Sequence, residues 1–394
     1  MWGASLITNL ADGVLATAAP LLAVSLTSNP LLISALSAFV MLPWLIFAIP
    51  IGVIVDKFDR RHLIAGANGV RFLIAGLIAL SISTHVITIY LLFLATFIIG
   101  LCEVIADTSS QALIPQILES QHYEKANSRL QISETVIQGF VGTPISGFLY
   151  AIAIFLPFAI NSTGFFIAAI FALSIPTVVK QGLTSEEPIS FISEMKFGAK
   201  YILEHKQLLR IVLTTTSIGF CYSLSSSTSV LFILKEMHLE KSLFGVLLSI
   251  QGLGAVAGGL LCPLLSKRFS RQRILMLAIT ASSILILMQS FSPNIYVYGA
   301  LITIGAFAMS NWNVLLMASY QDLIPTHLFG KIHGTRRTLV WGLMPFGSLL
   351  GGVIANYGLR LPLFIGGLIS TIIAIFSIKF FLNFAKTESV PGRS

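Results

Sequence analysis

Hydrophobic and polar positions alternate along this chain on a long wavelength. Apolar runs of roughly 20–26 residues fall at about 2–26, 31–55, 63–83, 87–112, 129–154 and 158–179. A second set falls at about 209–234, 243–266, 272–291, 294–319, 334–357 and 360–382. At a rise of about 1.5 Å per residue, each run is long enough to cross a hydrocarbon core of about 30 Å. The pattern predicts an all-α membrane protein of twelve transmembrane helices: a six-helix bundle over 1–179, a linker over 180–207 and a second six-helix bundle over 208–394. Inside the linker, Phe191, Ile192, Met195, Ala199, Ile202 and Leu203 recur at helical spacing among Lys196, Lys200 and Glu204. That spacing predicts an amphipathic helix lying on the cytoplasmic membrane surface.

Composition agrees with the pattern. The 394 residues are 55% hydrophobic and only 10% charged, against about 25% charged in a soluble domain. The net charge of +8 follows topology and does not point to nucleic acid. Of the 24 lysines and arginines, Arg71 lies within a span, Lys235, Lys241 and Arg360 fall in loops on one side, and the other twenty fall in loops and a tail on the opposite side. Such a bias makes the crowded side cytoplasmic and puts both termini there. The first apolar run begins almost at Met1 without a basic leader region, so it reads as a span. Cys102, Cys221 and Cys262 lie in separate runs and suggest neither a disulfide framework nor a metal knuckle. The histidines cluster at span ends and loops, and no zinc, nucleophile, P-loop or dinucleotide motif is present. No enzyme, cofactor or metal centre is therefore expected. An ion gradient is the expected energy source, and the chain is expected to act as a monomer in the bilayer.

The chain also repeats. Gln111-Ala-Leu-Ile-Pro115 ends span 4 and Gln321-Asp-Leu-Ile-Pro325 ends span 10, 210 residues later; at the same offset Lys57 meets Lys267 and Arg61 meets Arg271. The two halves are expected to be parallel repeats, with a substrate bound near mid-membrane and transport by rocking of one half on the other. The halves differ in charge. Asp56 aligns with Ser266, and the carboxylates placed within spans all belong to the first half.

An ionisable group inside a span is costly and marks a functional candidate. Asp12 lies roughly 15 Å into span 1 and Arg71 roughly 12 Å into span 3. Glu103 and Asp107 are four residues apart on span 4 and share a face. Glu134 lies nearer the start of span 5. These five are candidates for proton coupling. Arg71 with Glu103 or Asp107 also reads as a fixed ion pair, and Glu134 as a solvated acid at a helix start. Span 5 carries Gly139, Gly142, Pro144 and Gly147, a thin, bendable helix suited to close packing. In the second half, Tyr222, Asn311 and Trp312 are candidates for an aromatic, amide-bearing cavity wall.

The loop Gly52-Val-Ile-Val-Asp56-Lys57-Phe-Asp-Arg60-Arg61 resembles the loop between helices 2 and 3 of the major facilitator superfamily. With the Asp12-Gly13 pair, Ala126-Asn127-Ser128, the glycine-rich span 5 and Ile324-Pro325, the chain resembles the branch that includes the enterobactin exporter and macrolide efflux proteins. Span 5 departs from the superfamily's antiporter motif, with Thr143 and Ser146 where proline or glycine is usual. The resemblance implies that Asp56 pairs with Arg60 or Arg61, faces the start of helix 11 and holds a cytoplasmic gate shut. It implies a cavity lined by helices 1, 4, 7 and 10. The expected activity is proton-coupled export of an amphiphilic small molecule, a drug or siderophore, across a bacterial cytoplasmic membrane. The rival expectations are a proton-coupled importer and a non-transporting sensor or scaffold.

Overall fold

The structure, a computed structural model, describes residues 2–117, 137–138, 141–174, 191–325 and 328–383. Among these residues all regular structure is helical. Six helices correspond to spans 1 to 6: α1 Trp2–Leu26, α2 Pro30–Lys57, α3 Arg60–Ser83, α4 Ile89–Ile117, α5 Thr143–Ile152 and α6 Leu156–Leu173. The linker helix is α7, Phe191–Glu204. The later spans are α8 Lys206–Ser226, α9 Lys241–Arg268, α10 Arg271–Gln289, α11 Ile295–Leu323, the pair α12 Phe329–Gly342 and α13 Met344–Ala355, and α14 Leu361–Asn383. Eleven of the described helical stretches are long and apolar enough to cross a membrane, and Thr143–Ile152 is a shorter apolar helix in the predicted fifth span. The protein is a multi-pass membrane protein.

Local signals set the helix starts. Asn29 accepts the Leu31 N–H at the N-terminus of α2, with Pro30 in the first turn where its missing donor costs nothing. Asp59 caps α3 and Asn294 caps α11 in the same way. Two predicted spans are not continuous. Span 11 divides at Leu343 because Pro345 sits in the first turn of α13, where it lacks an N–H and crowds the preceding turn. Pro144 occupies the same place in α5. Span 7 ends as a short turn, Ser229–Leu231, followed by π-helix over Phe232–Glu236.

The chain divides into two compact units. One is Met1–Pro188 with His238–Ser249, and the other is Ile189–Met237 with Ile250–Ser394. In the first unit α1 packs on α5 and α6, α2 on α4, and α3 on α4 and α6. Where α1 crosses α5, backbone meets backbone. A Cβ on Gly142 would stand 2.8 Å from the Gly13 Cα and 2.9 Å from the Leu10 carbonyl oxygen, and one on Gly13 would stand 2.9 Å from the Gln138 Cα. Ser146 Oγ then donates to the Val14 carbonyl at 2.7 Å, and Tyr150 donates to that of Leu21 at 3.2 Å. Farther along α5, Gly147 meets Gly245 in the first turns of α9, and Thr143 and Ser249 share a hydroxyl contact of 3.0 Å. Since no flexible side chain can yield at the α1–α5 crossing, Gly13→Ala is expected to cost about 1–3 kcal/mol by overpacking. A lower unfolding temperature of the purified protein in detergent is the readout, and an unchanged value would show that the crossing relaxes freely.

The second unit repeats the plan. There α8 packs on α13 and α14, and α10 on α11 and α14, reproducing α1 with α5 and α6, and α3 with α4 and α6. Gly347 and Gly351 of α13 press on the α8 backbone as Gly142 presses on α1. Ser223 Oγ donates to the Met344 carbonyl at 2.7 Å and meets Ser348 Oγ at 2.8 Å. The amphipathic helix α7 packs on α12 and α8. Its Ile202 joins the core of this unit, while Lys196, Phe197, Lys200 and Leu203 are exposed. Arg360 fastens three helix ends: it donates to Glu236 at 2.8 Å and to the carbonyls of Ser290 and Ser292 at 2.8 and 3.2 Å.

Candidate functional site

Three helices of the first unit converge on a buried cation. Arg71 projects from α3 and is 1% exposed. Its Nη2 donates to Asp12 Oδ1 on α1, and Glu103 Oε2 on α4 lies 3.8 Å from the same nitrogen. The guanidinium lies 4.1 Å from the centre of the Phe165 ring on α6, a cation–π contact that strengthens when water is excluded. Arg71 Nε has no hydrogen-bond partner among the described residues. Asp107, one turn along α4 from Glu103, acts electrostatically on Asp12. Asp12 and Glu103 retain partial exposure, 15% and 31%, so both carboxylates can be reached while the cation cannot.

The sequence offers Arg71 with Glu103 or Asp107 as a fixed ion pair. The structure pairs Arg71 with Glu103 at 3.8 Å and adds Asp12 as the hydrogen-bonded partner. Asp12 joins for a simple reason. Helix α6 lies against both α1 and α3 and brings them together around its Phe165. Glu134 and Gly139 lie outside the described residues.

What this cluster can do follows from its charges. One guanidinium serves two carboxylates, so a proton taken up by one leaves the cation to the other. Removing all charge from such a site is cheaper than stranding one ion in it. Proton binding and a change of ion partner are thus linked events.

The loop between α2 and α3 is held by a cap. Asp59 accepts the Arg61 N–H at 2.9 Å, and the Arg61 guanidinium binds the same carboxylate through Nε at 3.3 Å and Nη2 at 3.2 Å. The slight burial of Asp59 pushes its carboxyl up. The Arg61 N–H and guanidinium together outweigh this and hold it below the usual carboxylate range. The side chain of Asp56 lies outside the described residues. At the matching position in the second unit, Arg271 pairs with Asp322 from the end of α11. Asp59→Ala is expected to cost about 1 kcal/mol through loss of the α3 cap, seen as a small drop in unfolding temperature at neutral pH. The drop should vanish at a pH low enough to protonate Asp59.

Of the cavity candidates, Tyr222 is 40% exposed. Asn311 is buried, its Nδ2 donating to the Phe307 carbonyl at 2.9 Å. Trp312 is a core residue: it is 1% exposed and sits edge-on to Phe381 with ring centres 5.2 Å apart. It belongs to the hydrophobic core of the second unit. No group of His, Cys, Asp and Glu suited to a metal ion occurs among the described residues.

A family model described as Major Facilitator Superfamily matches residues 1–346. The chain belongs to this superfamily. It is a transporter and not an enzyme. As a superfamily member it is similar to macrolide efflux protein A of Streptococcus pyogenes, 22% identical over 368 residues covering 90% of this chain and 88% of that protein. It is also similar to an uncharacterized MFS-type transporter of Bacillus subtilis, 24% identical over 308 residues covering 74% and 70%. Among solved structures it resembles a bacterial homologue of the iron transporter ferroportin, with a TM-score of 0.74 and 13% identity over 96% and 97% of the two chains. A bacterial homologue of the lysosomal transporter Spinster gives a TM-score of 0.72 at 13% identity over 99% and 97%. At these identities the likeness to solved structures is one of fold.

Proposed function

We propose that this superfamily member is a proton-coupled exporter of an amphiphilic small molecule, a drug or siderophore, working by alternating access in a bacterial cytoplasmic membrane. The reading places both termini on the cytoplasmic side. The observation that carries it is the cluster of Asp12, Arg71 and Glu103: carboxylates that compete for one buried cation inside the apolar span region. Such a group loads a proton from one side and releases it to the other as access alternates. The direction of transport is supported by the relatives named for macrolide efflux and by the close-packed Gly142-Thr-Pro144 turn. Tyr222 and Asn311 are the second-half contributions to substrate binding, and Asp107 and Glu134 supply acidic charge along the proton's route.

The test is substrate flux in proteoliposomes with an imposed pH gradient, using a macrolide and a ferric-siderophore precursor as probes. Uptake into inside-acidic vesicles, by protein inserted with its proposed cytoplasmic face outward, supports export by exchange. Accumulation that runs with the proton gradient would instead make the chain an importer, and flux indifferent to pH would end the proton-coupled reading. For the gate, Asp56→Asn is expected to slow the transport cycle while substrate affinity stays close to that of the native protein. Lost affinity with an intact cycle would remove Asp56 from the gate.

A further inference from the structure

Helix α6 has no charged residue, yet three of its side chains converge on the neighbourhood of Asp12 and Arg71. Ser162 Oγ donates to the Phe72 carbonyl at 2.8 Å, beside Arg71 in the chain. Phe165 underlies the Arg71 guanidinium. Asn161 Nδ2 donates to the carbonyl of Ala11, the residue before Asp12. Asn161 and Phe165 are one turn apart, so they share a face of α6. That face meets α1 at Ala11 and meets α3 at Arg71.

Asn161 is 1% exposed, and its Oδ1 has no hydrogen-bond partner among the described residues. A buried amide oxygen without a donor is costly, and α6 keeps one on a side chain whose amide nitrogen bonds the residue before Asp12. We infer that Asn161 is a second residue of the proton site: its Oδ1 accepts the O–H of Asp12 when that carboxyl is protonated. This inference rests on the proposed role of Asp12 as proton carrier.

The step balances. A proton from the aqueous side bonds to an Asp12 carboxylate oxygen, and the Asp12–Arg71 ion pair breaks. Arg71 turns to Glu103, already 3.8 Å away, so its charge remains compensated. The new Asp12 O–H turns to Asn161 Oδ1, so the donor and the orphan acceptor satisfy each other. Deprotonation reverses each movement. Among the described residues, Arg71 on α3 and Asp107 on α4 act on Asp12, and Glu103 and Cys102 on α4 act on Arg71. Helix α2 carries its charges, Asp56 and Lys57, in its last turn; α5 offers only Tyr150, and α6 nothing that titrates.

The experiment is pH-difference infrared spectroscopy of the whole protein in proteoliposomes, reading the carboxylic acid C=O stretch of protonated Asp12. The band is assigned by its disappearance in Asp12→Asn. In the native protein it is expected below the frequency of a free carboxylic acid, as hydrogen bonding requires. In Asn161→Ala it should move upward, and its titration midpoint should fall by a roughly three- to tenfold loss of proton affinity, the size of one hydrogen bond. Thr163→Ala, on the exposed side of α6, should leave the frequency in place. A native band already at the free-acid frequency would overturn the inference without any variant. So would a band unmoved by Asn161→Ala, or moved equally by Thr163→Ala. If no band depends on Asp12 at all, the carrier role of Asp12 fails, and the inference fails with it for a distinguishable reason.

Discussion

Asp12→Asn is expected to bring pH-driven accumulation of substrate in proteoliposomes down to background, a loss of roughly 100-fold or more if Asp12 is the group that must take and release the proton. The change is nearly isosteric. The asparagine oxygen can still accept from Arg71, so α1, α3 and α6 should stay packed and the protein should purify normally. Exchange of labelled for unlabelled substrate, which needs no net proton movement, should persist. That split between driven and exchange flux is what separates a coupling role from a structural one. If driven accumulation survives, the proton is carried elsewhere, and Glu103, the second carboxylate on Arg71, becomes the carrier to test by Glu103→Gln.

The second large effect is on folding. Arg71→Met removes the one cation that the described structure places on Asp12 and leaves that mostly buried carboxylate without it. Breaking a buried pair in this way costs about 3–5 kcal/mol, because the surviving charge is stranded. The variant is expected to show a much lower unfolding temperature and poor yield. Adding Asp12→Asn to Arg71→Met should restore most of the loss, since the double variant strands no charge on α1. Protein yield and unfolding temperature of the two singles and the double form a closed cycle. Additive losses would mean that the two side chains act independently and that the observed pair contributes little.

Much of this architecture was legible as hydrophobic run length. Spans stand out because hydrocarbon tolerates few polar groups, and the duplicated Gln-x-Leu-Ile-Pro at 111–115 and 321–325 exposes the repeat. For the same reason Asp12, Arg71 and Glu103 announce themselves one by one. Their pairing does not. Asp12 and Arg71 are 59 residues apart, and periodicity within a helix says nothing about its rotation against another. Asn161 was missed because a single amide in an apolar run is an ordinary packing residue until its neighbours are known. Ser146 read as a departure from a glycine motif, yet its hydroxyl fastens α5 to Val14. Trp312 drew attention by size and amphiphilic character, both of which a close-packed core uses equally well. Pro345 was overlooked although it is the second-half counterpart of Pro144.

The way α1 is held has one more consequence. Asn161, Ser146 and Tyr150 all bind it through carbonyl oxygens, those of Ala11, Val14 and Leu21, and Gly142 rests on its bare backbone. Every one of these grips engages groups that each residue type supplies. Apart from Gly13, whose missing side chain the crossing needs, the helix is therefore clamped by its backbone, and side chains on its remaining faces can be exchanged without breaking these grips. Substitutions along α1 can thus change what its exposed faces present while the helix keeps its seat.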